Sequence, residues 1–155
     1  MSGRRRQRGM TLVELIVSFT ILALLTTMAL PLARYKVRRE RERELRYAVR
    51  EMRTAIDKYK DMADLNQLGP QGVDTDNYPP TLDVLVEGVT KSGTVDTKIR
   101  FLRRIPKDPM TGTFEWGMRS TRDDTKSTSW VGQNVFDVYT KSTEKAGDGT
   151  PYSEW

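Results

Sequence analysis

The stretch Arg8-Gly9-Met10-Thr11-Leu12-Val13-Glu14, continued by the run from Leu15 to Ala33, decides how this chain is organised. The run holds 19 residues and no charge. As a helix it would measure about 28 Å at roughly 1.5 Å per residue, close to the ~30 Å hydrocarbon core of a bilayer. A buried helix of a soluble domain is the plainer alternative, but the 122 residues that follow are too polar to wrap such a run. Within the membrane readings, a removable secretory signal competes with a retained anchor. Thr27-Met28-Ala29 is a poor small-x-small site, so cleavage after Ala29 is conceivable. Retention is the reading taken here. The run is long for a signal core, Glu14 sits near its start, and it continues into helix-compatible sequence rather than a loop. Flanking charge leaves the orientation open. Arg4, Arg5, Arg6 and Arg8 precede the run, but Arg34, Lys36, Arg38, Arg39, Arg41 and Arg43 follow it.

Working outward, Tyr35 to Leu65 has a helical pattern. Leu45, Ala48, Val49, Met52, Ala55, Ile56, Tyr59, Met62 and Ala63 recur at steps of three and four. Arg38 with Glu42, and Glu42 with Arg46, stand four apart and support a solvated helical stretch. Only Pro31 interrupts the two helical patterns, and it is expected to kink the helix or loosen it locally. One helix from about residue 10 to about 65 would be roughly 80 Å long. Gly and Pro within residues 67–72 end it. Asp74 to Pro80 reads as loop, and Thr81 to Val86 as a short helix capped by Thr81 and stopped by Gly88. Ile99 to Ile105 is short and helical or extended. Residues 106–112 form a turn. Thr113 to Met118 and Asn134 to Tyr139 have the aromatic and β-branched content of strands, with loops at 119–129 and 140–153. The expected fold class is α+β: a long N-terminal helix, membrane-spanning in its first half, packed by its second half on a small loop-rich antiparallel sheet.

Composition narrows the chemistry. The chain has 155 residues, a length that suits one domain, with no Cys and no His. Disulfides, thiol catalysis, thiolate zinc sites and histidine-based nucleophile systems are excluded. Carboxylate and lysine chemistry stay open, but no convincing group of such residues stands out, so no enzyme is expected. The net charge of +5 is uneven: residues 1–9 supply +4 through their four Arg, and a chain without them is only +1. The basic balance is then weak support for nucleic-acid binding. Arg100, Arg103 and Arg104 near Phe101 make a small basic patch, read as a solvated face rather than a nucleic-acid site.

The junction at Gly9, the apolar run, Glu14 five residues beyond Gly9, Pro31 and the long helix together resemble the class III signal of type IV pilins and type II secretion pseudopilins. The resemblance implies a cleaved leader at residues 1–9 and a transmembrane and filament-core helix at 10–33. An amphipathic helix half at 34–65 and a small periplasmic globular domain at 66–155 would follow. It implies cleavage between Gly9 and Met10 by a prepilin peptidase, which also methylates the Met10 amine. Met10 stands where the family usually has Phe. Glu14 and Pro31 are the implied assembly residues. Glu14, in apolar surroundings, would be neutralised by the N-terminal ammonium of a neighbouring subunit, a pairing that fixes register more than it adds stability.

Tyr78 to Leu85, Ile105 to Gly112, and the stretches Asp137 to Tyr139 and Asp148 to Trp155 resemble the G-type major pseudopilin of type II secretion. That resemblance implies a homo-oligomeric helical filament working with minor pseudopilins, an inner-membrane assembly platform and a cytoplasmic ATPase. The chain would cross the inner membrane once, with its N-terminus cytoplasmic and its C-terminal domain periplasmic, and would help drive folded proteins across an outer membrane. A type IV pilin of a surface fibre for adhesion, motility or DNA uptake is the alternative. G-type members often bind calcium in the C-terminal loop. Asp137, Glu144 and Asp148 are the candidate ligands here, although the family's Gly-rich loop with several Asp is not reproduced.

Overall fold

The computed structural model describes residues 11–94 and 96–155, with backbone alone at 28–32. Helix α1 spans Leu12–Asp64 and α2 spans Leu82–Glu87. Strands β1 (Val89–Thr90), β2 (Lys98–Ile99), β3 (Trp116–Arg119) and β4 (Asp137–Thr140) follow, and a 3-10 turn covers Tyr152–Glu154. The chain divides into two units, one reaching to Glu40 and the other Arg41–Trp155, and α1 contributes residues to both. The α+β architecture, with its long N-terminal helix, is the expected one. The backbone of α1 is helical at Pro31.

In the second unit, α1 forms because its apolar residues recur on one face and something covers that face. Leu45, Ala48, Val49, Met52, Ala55, Ile56, Tyr59 and Ala63 are all buried, in one cluster with Leu82, Leu85, Leu102, Trp116, Val135, Val138 and Tyr152. Each large side chain of this stripe contributes roughly 1.5–3 kcal/mol by leaving water. The helix ends at Asp64, five residues before Gly69. Asn66 takes a left-handed φ of 54°. Its amide donates to the Ala63 carbonyl at 2.9 Å, and the Gln67 amide donates to Met62 at 3.0 Å. These two bonds close a Schellman motif in which Asn stands where Gly is commoner.

The expected single sheet is instead two two-stranded ones. Strands β1 and β2 pair antiparallel, Val89 opposite Ile99, and were not foreseen because two-residue strands carry no alternation. Thr81 precedes α2 in extended conformation but makes no side-chain capping bond. Gly88 stops α2 at φ 83°, and a Cβ there would lie 2.8 Å from the Ile99 carbonyl oxygen. Strands β3 and β4 pair Trp116 with Thr140, Gly117 with Tyr139, Met118 with Val138 and Arg119 with Asp137.

Two details hold this second hairpin in place. Asp108, fully buried, accepts the Thr140 hydroxyl at 2.5 Å and the Met110 amide at 2.8 Å, tying the 106–112 turn to β4. The Tyr139 ring lies across Gly117, where an added Cβ would come within 2.2 Å of it. Gly117→Ala is therefore expected to destabilise the protein by about 1–3 kcal/mol through overpacking. A denaturant midpoint equal to that of the parent would contradict the contact.

Candidate functional site

The helix begins at Leu12, and Thr11 acts as its cap. The Leu15 amide donates to the Thr11 carbonyl at 3.1 Å, and the Glu14 amide donates to Thr11 Oγ1 at 3.3 Å. Thr11-Leu12-Val13-Glu14 is thus a Thr-x-x-Glu capping sequence, and Glu14 lies in the first turn, where the helix dipole favours an anion. On either side of it, ten large apolar side chains from Leu12 to Leu25 are exposed, each by half or more. They point all round the helix, as expected for a segment buried among lipids or other helices. The hydroxyls of Thr20, Thr26 and Thr27 donate to the carbonyls of Ile16, Leu22 and Leu24 at 2.7–2.8 Å. Those polar groups are satisfied within the helix itself, which removes most of the penalty for placing them in an apolar medium.

Among the described residues no helix is long and apolar enough to cross a membrane. The 10–33 span lies partly outside those residues, since side chains are described from Thr11 to Thr27 and again from Ala33. Gly9, Met10 and the 1–9 leader lie outside the described residues, as does the side chain of Pro31.

The candidate calcium ligands are not brought together. Among the described residues no three His, Cys, Asp or Glu side chains form a group that could hold a metal ion. Asp137 is already matched by cations. Its Oδ1 accepts Arg53 Nε at 2.6 Å, and its Oδ2 accepts Arg53 Nη2 at 3.2 Å and Arg119 Nη1 at 3.5 Å. Glu144 and Asp148 stay exposed in the following loop. Asp148 forms a turn, accepting the Thr150 amide at 2.9 Å, and this bond holds its carboxyl below the ordinary range. A divalent cation needs six to eight oxygens, whereas the one partly buried carboxylate here faces two guanidinium groups. These residues do not fit calcium.

The same two arginines secure the C-terminal turn. Arg53 Nη2 donates to the Trp155 carbonyl at 2.9 Å and Arg119 Nη2 to that of Ser153 at 3.2 Å. Arg46 stacks on the Trp155 ring at 4.2 Å, and the Tyr152 hydroxyl donates to Glu42 at 2.7 Å. Arg53→Ala is expected to lower stability by about 1–2 kcal/mol, because charge-assisted hydrogen bonds are lost while Arg119 keeps Asp137 paired. Calcium or a chelator is expected to leave the melting temperature unchanged. A rise with millimolar calcium that EGTA reverses would contradict this account.

Asp148 is one of three carboxyls held low. The Lys60 ammonium, then the Asn77 amide, act on Asp64; the Ser120 backbone amide acts on Asp123; and Thr150 acts on Asp148. A depressed folded pKa adds stability above the unfolded value and loses it as pH falls through the folded one. The melting temperature should therefore hold from neutrality down to about pH 4, near the unfolded carboxyl values, and fall below it. A midpoint already falling between pH 7 and 5 would show that other groups dominate.

Arg103 and Arg104, taken from sequence as a solvated basic face, are exposed and line grooves beside α1. Sequence reasoning missed Arg53 and Arg119 because they lie 84 and 18 residues from Asp137. It also missed the Thr11 cap, whose Thr-x-x-Glu signal was present but overlaid by the Gly9 junction.

With this geometry in place, residues 4–30 match the family described as the prokaryotic N-terminal methylation motif. The chain carries a type IV pilin-like N-terminal signal, and such a signal implies a membrane-anchored N-terminus. Comparison with curated proteins and with solved structures finds no match.

Proposed function

We propose that this chain is a structural subunit of a type II secretion pseudopilus. It assembles through its N-terminal helix into a periplasmic filament and helps drive folded proteins across the outer membrane. The observation that carries this reading is the methylation motif at residues 4–30, with Glu14 in the first turn of a helix whose apolar side chains are exposed on every side. The leader must leave first, because four Arg cannot enter an apolar filament core and would block the new amine of Met10. The freed amine then supplies the charge that a neighbour's Glu14 lacks within its own chain.

In this reading the chain does no chemistry itself. Its partners are further copies, minor pseudopilins, an inner-membrane platform and the prepilin peptidase. It spans the inner membrane once before assembly, with the globular unit in the periplasm. A type IV pilin shares the signal. Support for the secretion subunit comes from the segments at 78–85 and 105–112 and from the lack of Cys, since adhesive pilins typically close a loop with a disulfide. Deleting the gene separates the two. Secreted enzymes should accumulate in the periplasm while surface fibres persist. Loss of surface fibres with intact secretion would contradict the secretion role.

A further inference from the structure

Charge is segregated in the second unit. Two adjoining grooves share Tyr47, Glu51 and Arg103 and run between α1 and the 101–107 segment, the larger with a volume of about 770 Å³. Six of the 18 basic side chains in residues 41–155 line them, but only two of the 19 acidic ones. Arg50, Arg103, Arg104 and Lys107 form no ion pair among the described residues. Tyr47 and Phe114 add apolar surface, 71% and 63% exposed. Cations around exposed aromatics call for an occupant that is apolar at its tip and acidic at its sides.

The chain presents such a shape elsewhere. Val73 is 93% exposed, the most exposed large apolar side chain among the described residues, and is followed by Asp74 and Asp76. The loop is rigidly built. Thr75 is buried and donates to the Gly72 carbonyl at 3.0 Å, while Asn134 Nδ2 donates to the Thr75 carbonyl at 3.0 Å. The Thr121 hydroxyl holds Asp76 at 2.7 Å. Asp74, Asp76 and Asn77 all take left-handed φ values, which Asp and Asn adopt more readily than other residues with a Cβ. Asn77 bonds Asp64, so the loop sits by the C-terminal end of α1. Tyr47 lies 17 residues earlier on that helix, about 26 Å away along its axis.

We propose that the Val73–Asp76 loop of one copy docks in the Tyr47–Phe114 groove of the next. The inference rests on the filament reading and names a second contact for it. Val73 would sit against the two aromatics, with Asp74 facing Arg103, Arg104 and Lys107. Loop and groove lie at different heights on one rigid unit, so no copy satisfies itself. Two unlike patches meeting head to tail give an open assembly rather than a closed dimer. The contact is small, but co-assembly of the N-terminal helices raises its effective concentration.

The chain has no Cys, so introduced thiols report cleanly. Full-length Val73→Cys and Lys107→Cys copies, co-expressed and oxidised in membranes, should give a disulfide-linked dimer about tenfold above either variant alone, as complementary patches require. Arg103→Asp with Arg104→Asp should abolish that excess in the same pair, and Asp74→Lys in the Val73→Cys copy should restore it. A mixed pair no better than the single variants overturns the proposal, as does cross-linking of position 107 only to another protein. Cross-linked dimers without filaments leave this contact standing and sink the filament reading. Filaments without cross-links do the reverse.

Discussion

Replacing Glu14 with Val is expected to give a chain that is cut and inserted normally but does not build filaments. Glu14 lies in the first turn of α1, two residues after Leu12, where the described helix begins. Its backbone amide is satisfied by Thr11, so the substitution leaves the helix start intact. What disappears is the carboxylate. In an assembled core each lost carboxylate would leave a neighbour's ammonium unpaired in apolar surroundings, a loss of about 3–5 kcal/mol per contact. Repeated along a filament, such a loss shifts the material from polymer to membrane-bound monomer. Glu14→Gln keeps the shape and should fail almost as completely, which separates charge from packing. Sedimentation of sheared filaments against membrane-bound chain measures the partition. Filaments of either variant at parental levels would contradict the neutralisation role.

Gly9→Val is expected to leave a full-length precursor. Gly9 offers no side chain, so extended backbone can enter a peptidase groove closely, and a β-branched side chain removes that access. The uncut chain keeps Arg4, Arg5, Arg6 and Arg8 and lacks the Met10 amine, so it should be held in the membrane and excluded from filaments. The mass of the purified variant should exceed that of the mature chain by the nine leader residues. Normal processing of this variant would remove the signal assignment.

The parts of the fold legible in sequence are those with a period or a repeated apolar choice. The stripe from Leu45 to Ala63 named the buried face of α1 residue by residue, apart from Met62, which is half-buried. The two aromatic strands were found within one to three residues, with β3 and β4 lying slightly C-terminal of the expected spans. Pairings that depend on distant residues were not legible. Arg53 to Asp137 is a contact across 84 residues, and nothing local in either stretch announces it. The same blindness made Asp137 look like a metal ligand, because sequence shows the carboxylate but not the two guanidinium groups that answer it. The helix end near residue 65 was legible, but the stop was assigned to Gly and Pro within 67–72, whereas Asn66 is the residue that takes the left-handed turn.

The N-terminal assignment had another source. It came from the order of a few residue types, Arg8 and Gly9 ahead of an apolar run that carries Glu14, and the match at residues 4–30 supports it. The described start of α1 adds what the sequence did not make explicit. Thr11 caps a helix whose first residue is Leu12, and this places Glu14 in its first turn.

The most direct test of the account is the intact mass and N-terminal fragment spectrum of the native protein purified from membranes. The account predicts a chain that starts at Met10 and carries one methyl group on its amine. A chain that starts at Met1, or after Ala29, would contradict it.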